Sequence, residues 1–331
     1  TKAVKDLKSD IKLALTGTPI ENNILELWSI FDFIMPGYLA TKDKFQRIYN
    51  VKDMDNEKNN LDKLNTQIKY FILRRKKKDV VKDLPEKIEN NIYIDLGQKQ
   101  KEIYAAEVQR TKESLDEMVR EEGFTKAKFK ILQLLTKLRE ICVDPSLIFE
   151  NYNGGSAKIE ELLKIVEETK ANGHKMLIFT TYKKALDLII PKLNNIGVSS
   201  YYIDGSVPSK KRMELVDKFN NDDTDVFIIT LKAGGTGLNL TSATVVIHLD
   251  LWWNPQVENQ ATDRAHRIGQ KNKVGVIRLI TKGTIEERIL ELQNKKRKLA
   301  DMLIDGEGHS ENQFSKLTED DIKMLLSMDK N

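Results

Sequence analysis

An open, mostly parallel α/β sheet with helical additions is the fold class this sequence predicts, on three observations. The chain has 331 residues, about two structural units at roughly 150 residues each. From residue 157 onward, short apolar runs alternate regularly with helical stretches, the pattern of strands joined by crossover helices. Before that point the sequence carries two long helical periodicities, over 99–122 and 126–142, rather than strands.

Taken in order, Ile11-Lys-Leu-Ala-Leu-Thr16 reads as a short apolar strand. Thr18, Pro19 and Glu21 then supply a capping box with proline at the first helical position. Ile24, Leu27, Trp28, Phe31 and Ile34 recur at helical spacing until Met35-Pro-Gly37 stops them. Helices with a solvated face fit 38–84, a segment that ends in the basic cluster Arg74-Arg-Lys-Lys-Lys78. A strand is expected over 88–96, ahead of the two long helices, of which the second carries Ile131, Leu132, Leu135 and Leu138. Asn151-Tyr-Asn-Gly-Gly-Ser156 is the clearest linker. Beyond it the expected helices are 157–170, 183–194, 209–219, 255–268 and one from 284 onward. The strands expected there are 176–180, 199–203, 225–230, 244–249 and 274–280. The polar tail shows no strong periodicity.

Composition narrows the function classes. With 40% hydrophobic and 31% charged residues, collagen-like, low-complexity and coiled-coil rods are excluded as the main architecture. No apolar run reaches the length of a membrane span, and a soluble, intracellular chain without a membrane partner is expected. A single cysteine, Cys142, and four histidines leave neither an internal disulfide nor a zinc cage, so no metal site is assigned. A net charge of +4 is too near balance to identify a polyanionic partner by itself. The start, Thr1-Lys-Ala-Val, without methionine, reads as the beginning of a piece of something longer.

Two stretches could carry chemistry. The loop Ala233-Gly-Gly-Thr-Gly-Leu-Asn239 follows a strand, where glycines let backbone amides approach phosphate or ribose. A tight βα turn explains it equally well, and it does not complete the dinucleotide fingerprint G-x-G-x-x-G. In Trp252-Trp253-Asn254-Pro255, Asn254 caps and Pro255 opens a helix on which Gln260, Arg264 and Arg267 fall at i, i+4 and i+7, a spacing that projects all three from one face. Two aligned guanidiniums resemble an anion clamp; a solvated, salt-bridged helix is the plain alternative.

Leu13-Ala-Leu-Thr-Gly-Thr-Pro-Ile-Glu-Asn22, Phe71-Ile-Leu-Arg-Arg75, Leu135-Thr-Lys-Leu-Arg139 with Asp144-Pro145, Leu177-Ile-Phe179, Asp204-Gly205, Gly234-Gly-Thr-Gly-Leu-Asn239 and Asp263-Arg-Ala-His-Arg-Ile-Gly-Gln270 occur in this order. Together they resemble the Swi/Snf family of superfamily-two helicase-like ATPases, to about Leu299. The resemblance implies a RecA-like open parallel sheet with helices on both faces, plus helical insertions. It further implies ATP and Mg as cofactors, double-stranded DNA as partner, and a DNA-dependent ATPase and translocase activity in the whole protein. Arg264 and Arg267 would be arginine fingers, the catalytic residues of this portion. Gly237, Asn239 and Gln260 would lie at the nucleotide; Thr180, Gly205, Thr230 and Lys232 would touch the DNA backbone, and Trp253 would pack at the minor groove. Thr18 would couple two lobes. Phe179-Thr-Thr-Tyr182 stands where the family pattern has Phe-Ser-Gln-Phe.

Neither the phosphate loop G-x-x-x-x-G-K-[ST] nor a DExH-like acidic pair occurs in the 331 residues. The expected organisation is therefore the end of a first RecA-like lobe (1–37), its helical protrusion (38–87), a linker with the helical insertion of the second lobe (88–155), the second lobe (156–290) and a C-terminal brace (291–331). A first lobe in the same full-length chain would hold most of the ATP and Mg contacts, this portion being inactive alone, and a DNA-bound protein complex is a further expected partner. The rival reading is a non-catalytic DNA- or protein-binding module derived from such a lobe.

Overall fold

The computed structural model describes residues 5, 9–15, 24–49, 63–64, 66–73, 84–233, 237–304 and 319–326. They group into two units, residues 1–77 with 292–322 and residues 78–291 with 323–331. In the first, α1 (Ile24–Ile34) and α2 (Lys42–Tyr49) pack Leu27, Phe31, Leu39 and Phe45 against Leu64 and Ile68. Gly37, at φ +84°, makes the turn between them, and the Trp28 indole N–H closes it by donating to Ala40 O at 3.1 Å.

Over 11–15, the described part of the strand expected at 11–16, no strand is formed. Residues 11–15 have no regular structure, and Ile11, Leu13 and Leu15 are exposed. A strand needs a neighbouring ladder for its backbone groups, and among the described residues no strand pairs with this segment. Thr18, with the rest of 16–23, and the basic cluster 74–78 lie outside the described residues.

The second unit is built on one six-stranded sheet in which every pairing is parallel: β1 (Lys87–Ile94), β2 (Met176–Thr180), β3 (Ser200–Ile203), β4 (Val226–Thr230), β5 (Val245–His248) and β6 (Val274–Thr281), in the order β1-β6-β5-β2-β4-β3. Successive side chains of β2 serve opposite faces. Met176 and Ile178 enter one cluster with Ile159, Leu162, Ala185 and Ile189, whereas Leu177 and Phe179 enter another with Val216, Phe219, Ala261 and Ala265. Helices α5 (Ala157–Ala171) and α6 (Lys183–Asn195) therefore cover one face, and α7 (Ser209–Asn221) and α8 (Pro255–Thr262) the other. Burying each such Leu, Ile or Phe contributes about 1.5–3 kcal/mol.

Helices α3 (Gln98–Glu122) and α4 (Phe124–Val143) form a hairpin about Gly123, whose φ of +74° suits only glycine well. Between α3, α4, α5, the end of β6 and the start of α9 (Ile285–Ile304) lies a fully buried ion pair, Lys158 with Glu286. Glu286 also accepts from the Thr281 N–H at 2.9 Å and the Thr281 hydroxyl at 2.8 Å, and the Ile285 N–H donates to Tyr104 Oη. Burial, and next the Glu286 charge, push the neighbouring Cys142 thiol up to about 12. The tail expected to lack periodicity carries α10 (Glu319–Leu326), which buries Ile322 and Leu325.

Among the described residues no helix is long and apolar enough to cross a membrane, and no cluster of His, Cys, Asp or Glu could hold a metal ion.

Candidate functional site

Because all six strands run the same way, their carboxyl ends meet along one edge of the sheet. From β4 the chain crosses over β2 to reach β5, so the direction of winding changes at β2, where α/β sheets place their ligand crevices. Thr180, Gly205, Thr230, Lys232 and Trp253 lie at or just beyond this edge, whereas Asn239, Arg264 and Arg267 belong to the segments that lead back to the starts of β5 and β6.

The arginine segment differs from its expected form. Asn254 does cap α8, accepting from the Gln256 N–H at 3.0 Å, with Pro255 at the first position. The helix, however, ends at Thr262 instead of continuing to 268, and Arg264 and Arg267 stand in the turns that follow. The cause is a competition for carbonyls. A longer helix would offer Arg264 O and Ala265 O to residues 268 and 269. Instead Arg264 O accepts from the Leu240 N–H at 3.0 Å, and Ala265 O from the Gln270 side-chain amide at 3.2 Å. Gly269, at φ +103°, completes the departure. The i, i+4, i+7 face is thus not formed, and Gln260 stays on α8, half-buried.

The turns nonetheless bring the two arginines to the glycine loop. Arg267 Nη1 donates to Leu238 O at 3.2 Å, between the exposed Gly237 and Asn239. Arg264 is half-buried, and its Nε has no hydrogen-bond partner. Burial lowers the Arg264 pKa from its usual value, and the Arg267 charge lowers it further. Two cations held together with an unspent buried donor favour an anion, so a nucleotide phosphate fits these residues. Residues 234–236 of the loop lie outside the described residues.

At the carboxyl edge, Thr180 ends β2 opposite Thr230 of β4, and both are buried. The Thr180 hydroxyl donates to Asp250 Oδ2 at 2.8 Å. In this conformation neither threonine reaches outward as a direct backbone contact would require. Thr181, half-buried, is the outer residue: its N–H donates to Asp250 Oδ2 at 2.8 Å and its hydroxyl to Asp250 Oδ1. Gly205 and Lys232 are exposed, and Trp253 is half-buried against Trp252, ring centroids 5.6 Å apart. The Gly205 turn is fixed from inside. Asp204 accepts from the Ser206 N–H at 2.8 Å and pairs with Lys183 at 2.8 Å, first the Lys183 bond and then the Ser206 bond holding its carboxyl at about 2.

Sequence reasoning missed Asp250 and the role of Arg139. The guanidinium of Arg139, on α4, donates through Nη2 to Asp250 Oδ1 at 3.0 Å and to Leu251 O. It also lies over the rings of Trp253, Trp252 and Tyr182 at 4.6, 5.0 and 5.5 Å. The available signal was a carboxylate closing the apolar run Val245–His248 and Leu249. A second chain of charges holds the same turn. Glu258, fully buried, accepts from the Trp252 N–H at 2.8 Å and pairs with Arg278, which also pairs with Glu89 of β1 at 2.7 Å.

A parallel sheet of this topology, with Arg264 and Arg267 held against residues 238–240 on the segment that leads into β5, is a helicase-type α/β lobe. The model for the SNF2-related domain matches residues 1–147, and that for the helicase conserved C-terminal domain matches residues 157–269. Among solved structures, the SWI2/SNF2 ATPase core of Sulfolobus solfataricus in complex with dsDNA is 34% identical at a TM-score of 0.59, over 99% of this chain and 69% of that one. The C-terminal part of the Fun30 ATPase domain is 26% identical at a TM-score of 0.56, over 73% of this chain and 97% of that one. The chain belongs to the SWI2/SNF2 ATPase family. It is similar to an uncharacterized ATP-dependent helicase of Mycoplasma pneumoniae, 40% identical over 98% of this chain and 31% of that protein. The putative ATP-dependent helicase/translocase YwqA of Bacillus subtilis is 39% identical over 99% of this chain and 36% of that protein. The chain thus spans about a third of the length of the curated relatives it matches.

Proposed function

We propose that the whole protein is a DNA-dependent ATPase that translocates on duplex DNA, and that this chain supplies its arginine fingers and part of its DNA track. The observation that carries the reading is the pairing of Arg264 and Arg267 against residues 237–240, with Arg264 Nε buried and unpartnered. ATP supplies the phosphoryl group, and Mg neutralises charge on its oxygens; most contacts to both belong to a first lobe that carries the phosphate loop. Within this chain Arg264 and Arg267 face the γ-phosphoryl group, while Gly237, Asn239 and Gln260 border the nucleotide. Gly205, Lys232 and Trp253 meet the duplex, Thr180 and Thr230 support that surface from below, and Thr18 couples the lobes. Residues 1–37 and 38–87 belong on this reading to the first lobe and its protrusion, 88–290 to the insertion and second lobe, and 291–331 to the brace.

Charge develops on the phosphoryl oxygens chiefly in the transition state, so a finger arginine acts on rate more than on binding. In the full-length protein, Arg267→Ala and Arg267→Lys should each lower DNA-stimulated kcat by about 10³–10⁵, with ATP and DNA affinities within a few-fold of wild type. Steady-state kinetics beside a denaturation curve is the test. If Arg267 only ties Leu238 O on the surface, Ala costs about 0–1 kcal/mol of stability and kcat stays near wild type, which ends the assignment.

A further inference from the structure

Arg139 is the largest fully buried side chain among the described residues, and the reading above gives it no task. Its neighbours along α4 that point the same way, Leu135 and Cys142, are apolar and fully buried, so a plain packing role needs no charge at this position. A guanidinium there is expensive: only Nη2 has hydrogen-bond partners, while Nε and Nη1 have none. Buried ion pairs are often replaceable by apolar residues without loss of stability, so stability alone explains this one poorly. What a leucine could not do is reach several elements at once with fixed geometry. Arg139 Nη2 bonds Asp250 Oδ1, lies 3.4 Å from Thr181 Oγ1 and bonds Leu251 O, while the planar cation lies within 5.0 Å of both tryptophan rings.

We propose that Arg139 is a positioning residue that locks Trp253 into its DNA-facing arrangement, with Thr181 tied to the same carboxylate, making the α3–α4 hairpin part of the apparatus that grips the duplex. The proposal rests on the DNA-track reading. Thr181 lies at the end of β2 and Trp253 beyond β5, on separate connections of the sheet, and the guanidinium with Asp250 is the link that touches both. Lysine keeps the charge for Asp250 but lacks the planar face for the rings and the directional Nη2 contact to Leu251 O.

The test uses the full-length protein with Arg139→Lys, Arg139→Met and Asp250→Asn, measuring ATPase rate against duplex DNA concentration, thermal denaturation and the near-ultraviolet circular dichroism of the tryptophans. Expected for Arg139→Lys are a half-maximal DNA concentration raised about tenfold or more, kcat at saturating DNA within about twofold of wild type, and a changed near-ultraviolet spectrum. Asp250→Asn, which keeps an acceptor for Nη2, should give a smaller rise. A fall in kcat and melting temperature with no change in half-maximal DNA assigns Arg139 to stability and overturns the proposal, as does an unchanged DNA curve in a folded variant. If wild-type ATPase does not respond to duplex DNA, the DNA-track reading itself fails. The tryptophan spectrum then decides on the lock alone: loss of signal in Arg139→Lys supports it, and an unchanged spectrum overturns it.

Discussion

Lys158→Met leaves Glu286 as a buried carboxylate without its cation. Both groups are fully buried, and among the described residues the other donors to the Glu286 carboxylate are the N–H and hydroxyl of Thr281, at 2.9 and 2.8 Å. Breaking a buried pair from one side costs about 3–5 kcal/mol. For a unit of this size each kcal/mol moves the melting temperature by about 2–4 °C, so a fall of roughly 6–20 °C is expected. Melting followed by circular dichroism at about pH 7 measures the deficit. The double variant Lys158→Met/Glu286→Leu should recover most of the loss, because the unpaired charge is gone. A single variant that melts within about 2 °C of wild type, well below that estimate, would refute the reasoning.

Glu89 sits between Lys87 and Arg278; burial raises its pKa, but the Lys87 bond and the Arg278 and Lys87 charges outweigh it and hold the carboxyl at about 2. Since the folded value is depressed, its stabilisation is present above the unfolded value near 4.5 and is lost as pH falls toward 2. Glu89→Gln should accordingly be less stable than wild type at pH 7, by about 1 kcal/mol after solvent screening, with the gap closing by pH 2–3; urea titrations across that range measure it. Lys232 is exposed beyond the end of β4, and Lys232→Ala should reduce the salt dependence of duplex binding by about one phosphate contact, roughly 0.9 in the log–log slope. Unchanged slope and affinity would make it an ordinary surface lysine.

The strands of the second unit were legible because their signal is local. An apolar run of five residues bounded by polar ones fixes β2 at 176–180 and β4 within a residue of its expected start. What the sequence hides is what distant groups decide. Nothing near 262 says that Leu240 N–H and the Gln270 amide will take the carbonyls a longer helix needs. Nothing in 11–16 reveals whether a ladder lies beside it. In the site, the motif resemblance located Arg264, Arg267, Gly237 and Asn239, and the fold does gather them. The inward turn of the Thr180 hydroxyl depends on Asp250, 70 positions away, which no periodicity links to it. Arg139 and Asp250, 111 positions apart, escaped for the same reason.

Strand β1 has a partner that is made late. Among the described residues it pairs only with β6, and Lys273 beside that strand meets Glu86 across a separation of 187 positions. At a synthesis rate of about 5–20 residues per second, β1 leaves the ribosome roughly 10–40 s before its ladder can form. A strand kept waiting that long invites pairing with the wrong edge. Its composition guards against this: Lys87, Glu89, Asn90 and Asn91 fill half of its eight positions, and five of those eight are exposed even in the finished sheet. Any nascent chain ending before Val274 leaves both β1 and the outer edge of β5 unpaired, so the unit is completed only once β6 has emerged.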